Sequence, residues 1–146
     1  MKRLGMLTLI CSFVFTTLQT SNARADAETM GSRCVNQVHA TLDRVESRVA
    51  DRTTATVTLI ERYLAVGRVE AATLAARECF QETKEDLRLA ANYMTRICDH
   101  CVERLRRMKE FRLARRVANT CSSAIDQLAI LLDRQKQVLD DALHGD

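Results

Sequence analysis

Proline and tryptophan are absent from the 146 residues, glycine occurs four times, and aromatic residues make up 4%. A β-sandwich or barrel needs glycine, proline and similar turn residues between many short strands, so this scarcity argues against one. Phe80, Tyr93 and Phe111 are too sparse for a platform that stacks nucleic-acid bases. Catalytic signatures are also missing. There is no H-E-x-x-H, no repeated Glu-x-x-His of a carboxylate-bridged di-metal bundle, no Gly-rich phosphate loop and no G-x-S-x-G elbow. His39 with Asp43 and His100 with Glu103 stand at ordinary helix-surface spacings, and His144 lies near the C-terminus. Hydrophobic residues at 47% and charged residues at 28% instead describe one folded domain, neither disordered nor polytopic in a membrane.

The N-terminus reads as a leader. Met1-Lys2-Arg3 is followed by an apolar run over 4–18, a short polar stretch, and Ala23-Arg24-Ala25 before Asp26. A basic start, a short apolar core and small residues at −3 and −1 predict a secretory signal peptide, residues 1–25, cleaved before a single domain at 26–146. The apolar run is shorter than the roughly 20 residues a transmembrane helix needs, so no membrane span is expected in the mature chain. Bulky Ile10 before Cys11 argues against a lipoprotein site. The expected location is therefore periplasmic or extracellular. Lys2, Arg3 and Arg24 leave with the leader, so 19 of the 22 basic residues remain against 19 acidic ones. A mature chain without surplus positive charge does not suit nucleic acid as a partner.

Apolar residues then recur at helical spacing almost without interruption. The stripe Val35, Val38, Leu42, Val45, Val49, Arg52, Thr56, Leu59, Tyr63, Val66 reaches Gly67, a natural left-handed helix stop. A second runs through Val69, Ala72, Ala76, Cys79, Thr83, Leu87, Ala90, Met94, Ile97, Cys101, Leu105 and Met108. The third, from Ala114 through Cys121, Leu128 and Gln135 to Ala142, starts after a phase slip at Lys109-Glu110 that places a second turn there. These stripes predict an all-α, antiparallel three-helix bundle of long, coiled-coil-like helices, about 28–66, 68–107 and 110–143.

An alternative breaks the middle helix. Thr83-Lys84-Glu85-Asp86 and Ser123-Ala124-Ile125-Asp126 are capping-box-like. A 42-residue offset aligns Glu61-Arg62 with Glu103-Arg104, Ala72 with Ala114, Ala76 with Ala118 and Cys79 with Cys121. Gly67-Arg68-Val69-Glu70-Ala71-Ala72 and Lys109-Glu110-Phe111-Arg112-Leu113-Ala114 resemble the helix A to helix B junction of tetratricopeptide repeats, over those two turns alone. The period departs from that family's roughly 34 residues and its terminal Pro is missing. What this resemblance implies is a stack of shorter helical hairpins.

Loss of Cys11 with the leader leaves Cys34, Cys79, Cys98, Cys101 and Cys121. With turns at Gly67 and near Lys109, helical rise puts Cys34 opposite position 100 and Cys121 opposite position 97. Four cysteines from three helices thus share one level, and Cys79 stands apart, opposite roughly 55 and 139. The most level pairing is Cys34–Cys101 with Cys98–Cys121, disulfides that an exporting compartment favours and that would staple the bundle. The same four sulfurs, Cys34, Cys98, Cys101 and Cys121, could instead form a thiolate shell for Zn or Cu in a metal carrier or sensor. Redox chemistry at Cys98-Asp99-His100-Cys101 is disfavoured by its mid-helix position, and Val102 stands where a c-type haem motif needs His.

Finally, Arg104, Arg106, Arg107, Lys109, Arg112, Arg115 and Arg116 surround the second turn as a basic end, while Asp126, Asp133, Asp140, Asp141 and Asp146 make the C-terminal end acidic. The basic residues are either a solvated helix end or a dock for an acidic partner or anionic surface. The combined expectation is a non-enzymatic binding or structural module, engaging a protein partner or a second copy of itself.

Overall fold

A computed structural model describes the backbone of residues 5–145 and the side chains of residues 22–145. Three helices account for it: α1 (Gly5–Ala65), α2 (Val69–Arg107) and α3 (Phe111–His144). Cys34 meets Cys101 and Arg52 meets Asp86, so α1 and α2 run in opposite directions. Cys98 meets Cys121 and Thr83 meets Gln135, which reverses the chain again, and Gly31 against Leu113 with Thr53 against Gln135 aligns α1 and α3. The protein is an all-α three-helix bundle held by two disulfides.

α1 begins at Gly5 rather than near residue 28, and between Gly5 and Gly31 no proline or glycine interrupts it. Residues 1–4, and the side chains through residue 21, lie outside the described residues, and with them most of the expected leader. Among the described residues no helix is long and apolar enough to cross a membrane.

Both turns use one hydrogen-bond pattern. At the first, Gly67 N–H donates to the Leu64 carbonyl at 2.9 Å and Arg68 N–H to the Tyr63 carbonyl at 2.8 Å. At the second, Lys109 N–H donates to Arg106 at 2.9 Å and Glu110 N–H to Leu105 at 3.0 Å. Each is a Schellman cap, whose crossed bonds satisfy carbonyls the helix end leaves free. The cap needs a left-handed residue, supplied by Gly67 at φ 71° and, against the usual steric preference, by Lys109 at φ 61°. Arg68 also lies over the Tyr63 ring, 5.3 Å from its centre. The 42-residue offset in sequence is therefore a repeated turn, without the short hairpins that a tetratricopeptide-like stack requires.

α2 passes through Thr83 unbroken. The Thr83 hydroxyl and the Asp86 carboxylate bond to other helices, which leaves neither to cap a new one. The core also departs from the heptad reading. Ile60 is fully buried, while Leu59, Val66 and Val69 face solvent. The deepest positions recur every eleven residues, at Ala27, Val38, Val49 and Ile60 on α1 and at Ala72, Thr83, Met94 and Leu105 on α2. Eleven residues in three turns is close to the natural pitch of a straight helix, so the apolar seam drifts off a strict heptad and carries Leu59 out to solvent.

Candidate functional site

Three places in the bundle gather chemistry-bearing side chains. The first is the cysteine level. Cys34 and Cys101 are disulfide-bonded with Cα atoms 6.5 Å apart, and Cys98 and Cys121 with Cα atoms 6.2 Å apart. All four are buried within the larger apolar core. As disulfides these sulfurs offer a metal no thiolate, and among the described residues no group of three or more His, Cys, Asp or Glu side chains is gathered as a metal shell. The staples join α2 to both of its neighbours, which fixes the height of all three helices.

The second place is the basic end. Arg104, Arg106, Arg107, Lys109, Arg112, Arg115 and Arg116 are all exposed around the second turn. Among the described residues only Arg107 of these has a carboxylate within ion-pair reach, Glu103 one turn before it. Beside them an open cleft of about 790 Å³ lies between the Arg24–Ser32 stretch of α1 and the second turn. Arg24, Glu28, Lys109, Phe111, Arg112 and Arg116 line it. Phe111 is 64% exposed, and Arg24 pairs with Glu28 at 3.5 Å. Leu113 seats the cleft floor against Gly31, where a Cβ would come within 3.2 Å of the leucine side chain.

Helix dipoles divide this patch. Arg104, Arg106 and Arg107 occupy the last turn of α2, where cations are favoured. Arg112 lies in the first turn of α3, with Arg115 and Arg116 one turn on. That turn holds no acidic residue, and Glu110 makes no side-chain cap. Cations at a helix N-terminus oppose the dipole, and free backbone N–H groups there suit an anion. Helix stability explains the arginines of α2 and does not explain Arg112.

The third place is a polar layer inside the bundle, which the sequence stripes contained as isolated polar members but did not connect. The Gln135 side chain is 97% buried by its 3% exposure, and its Nε2 donates to Thr83 Oγ1 at 2.8 Å, Thr53 Oγ1 at 3.0 Å and Cys79 Sγ at 3.4 Å. Arg52 donates to Thr83 Oγ1 at 3.3 Å and to Asp86 at 2.9 Å, with Glu82 3.5 Å away. Gln135 Oε1 is buried without a partner. The height rule used for the cysteines would have found this layer, because Arg52 with Thr83 and Thr83 with Gln135 satisfy it equally well. Cys79, the free cysteine among the described residues, is buried against this layer. Elsewhere, on the outer face of α2, the Arg88 guanidinium bonded to Glu85 at 2.8 Å holds that exposed carboxyl below its usual range.

No family model matches the chain, and neither a curated protein nor a solved structure does.

Proposed function

We propose that the chain is an exported, non-enzymatic binding module whose basic end docks an acidic segment of a protein partner. The observation that carries this reading is Arg112, with Arg115 and Arg116 beside it, placed at the N-terminal end of α3 with no carboxylate of the described residues in ion-pair reach. An arrangement unfavourable to the free helix becomes favourable when an anionic group sits among the guanidinium forks. Phe111 adds an exposed aromatic surface in the same cleft, which a protein segment uses better than a bare phosphate.

Export supports the setting. The Ala23-Arg24-Ala25 pattern is exposed on α1, and two disulfides suit a periplasmic or extracellular compartment. Cleavage after Ala25 removes Arg24 from the cleft and frees Glu28, and it leaves the mature domain starting at Asp26. Recognition rests on the docked charges rather than on a reaction.

The test uses the exported chain, its start at Asp26 checked by intact mass, titrated against a fluorescent poly-glutamate peptide. Binding that weakens steeply with salt is expected, and Arg112→Glu/Arg115→Glu/Arg116→Glu should abolish it. The triple variant should melt no lower than the parent, since acidic residues suit the start of α3. Binding that survives the triple variant, or binding to phosphatidylglycerol vesicles without binding to the peptide, overturns the reading.

A further inference from the structure

The core is two cores. One apolar cluster extends along α1 from Ala27 to Val49, along α2 from Leu87 to Leu105 and along α3 from Ala114 to Leu128, and it encloses both disulfides. The other consists of Ile60, Ala72, Ala76, Cys79 and Leu139 with a few half-buried neighbours. On every helix the polar layer of Arg52, Thr53, Thr83, Asp86 and Gln135 falls between them. From this division we infer that the end of the bundle beyond the layer is a separate opening unit, which releases the Cys79 thiol to solvent while the stapled half stays folded.

Four features make that end the weaker one. Neither disulfide reaches it, so the first turn is the covalent link between α1 and α2 there, and α3 beyond Gln135 carries no staple among the described residues. On α2 its core side chains are two alanines and a cysteine, which bury little apolar area. The layer itself contributes hydrogen bonds instead of apolar contact, and it holds the unpartnered Gln135 Oε1 at the boundary, where a buried orphan acceptor favours exposure to water. Sub-global opening follows such boundaries, because a unit that shares few apolar contacts with its neighbour can lose its packing without unfolding the rest.

Cys79 is the built-in reporter. Its thiol is buried in the weak cluster and contacts Gln135, so opening beyond the layer exposes it and closing protects it. When closing outpaces labelling, the alkylation rate measures the fraction of molecules open.

The experiment treats the full-length oxidised chain with iodoacetamide across low denaturant concentrations, and peptide mapping separates Cys79 from Cys11. Amide hydrogen exchange is followed on the same samples. We expect Cys79 to react at least tenfold faster than the slowest amides of 94–121 permit, with a shallow denaturant dependence against their steep one. Gln135→Leu, which joins the two cores, should slow Cys79 labelling at least threefold. Leu139→Ala should speed it at least tenfold while leaving exchange in 94–121 unchanged, a readout that does not depend on the first variant folding. Identical denaturant slopes for Cys79 and for 94–121 would show a single cooperative unit and overturn the inference. An unchanged Cys79 rate in folded Gln135→Leu would do the same.

Discussion

Removing the two disulfides one at a time should give unequal losses of stability, in an order set by chain separation. Cys34–Cys101 closes a loop of sequence separation 67, and Cys98–Cys121 one of 23. In the chain-entropy account the cross-link acts on the unfolded ensemble, and these lengths correspond to about 4.4 and about 3.4 kcal/mol at 25 °C. Replacing each pair by alanine also deletes two buried sulfurs, but the four cysteines are 4–6% exposed, so that cost is similar for both pairs and cancels in the comparison. The expected difference is therefore about 1 kcal/mol, with Cys34→Ala/Cys101→Ala the weaker protein. Each double variant should lose on the order of 10–20 °C in Tm. Guanidinium unfolding followed by circular dichroism measures both variants against the parent, read as ΔG at matched slopes. Equal losses, or a larger loss for Cys98→Ala/Cys121→Ala, would refute the loop-length reasoning. Unchanged stability on removing either pair would refute the stapled bundle altogether.

The two caps should respond to substitution with opposite signs. Gly67→Ala puts a Cβ into a left-handed position with open space around it, which should cost about 1–2 kcal/mol from backbone strain alone, while Lys109→Gly relieves the same strain and should stabilise by up to about 1 kcal/mol. Thermal melts of the two variants check this, and a stabilised Gly67→Ala would contradict the cap geometry. In the polar layer, Thr83→Val keeps the shape but removes an acceptor shared by Arg52 and Gln135, an expected loss of about 1–3 kcal/mol by denaturant titration. Gln135→Leu should be neutral or stabilising, because it removes the unpartnered oxygen along with the donor.

Much of this architecture was legible because helices obey simple arithmetic. Gly67 announces the first turn by its residue type. Lys109 announces the second only by a slip in apolar phase, since lysine carries no preference for the left-handed conformation it adopts. Two turn positions and a rise of about 1.5 Å per residue then place Cys34, Cys98, Cys101 and Cys121 at one height, which is where the disulfides lie. Height was easier to read than rotation. Between Val49 and Ile60 the seam moves on by three turns in eleven residues, and a heptad count selects Leu59 in place of Ile60. The cleft was hidden for a different reason: it joins Arg24 and Glu28 of α1 to Phe111 and Arg116 of α3, across the long separation of first and third helices, where no turn fixes the register directly.

The eleven-residue seam also explains why one polar layer has such leverage over the bundle. On α2 the deepest positions are Ala72, Thr83, Met94 and Leu105, each fully buried, so Thr83 is no marginal polar residue but one of four side chains that define the axis of the core. A hydroxyl at that depth must be bonded, and the partners within reach are Arg52 from α1 and Gln135 from α3. Shifting α3 by one turn would bring Leu131 and Leu132, or Val138 and Leu139, to the level of Thr83 and strand Gln135 in the core. The disulfides impose the same register covalently from the other half of the molecule. Two independent devices thus specify one alignment, and they differ in where they act. The staples restrict the unfolded chain around the large core, whereas the layer discriminates among folded registers at the point where apolar packing is thinnest.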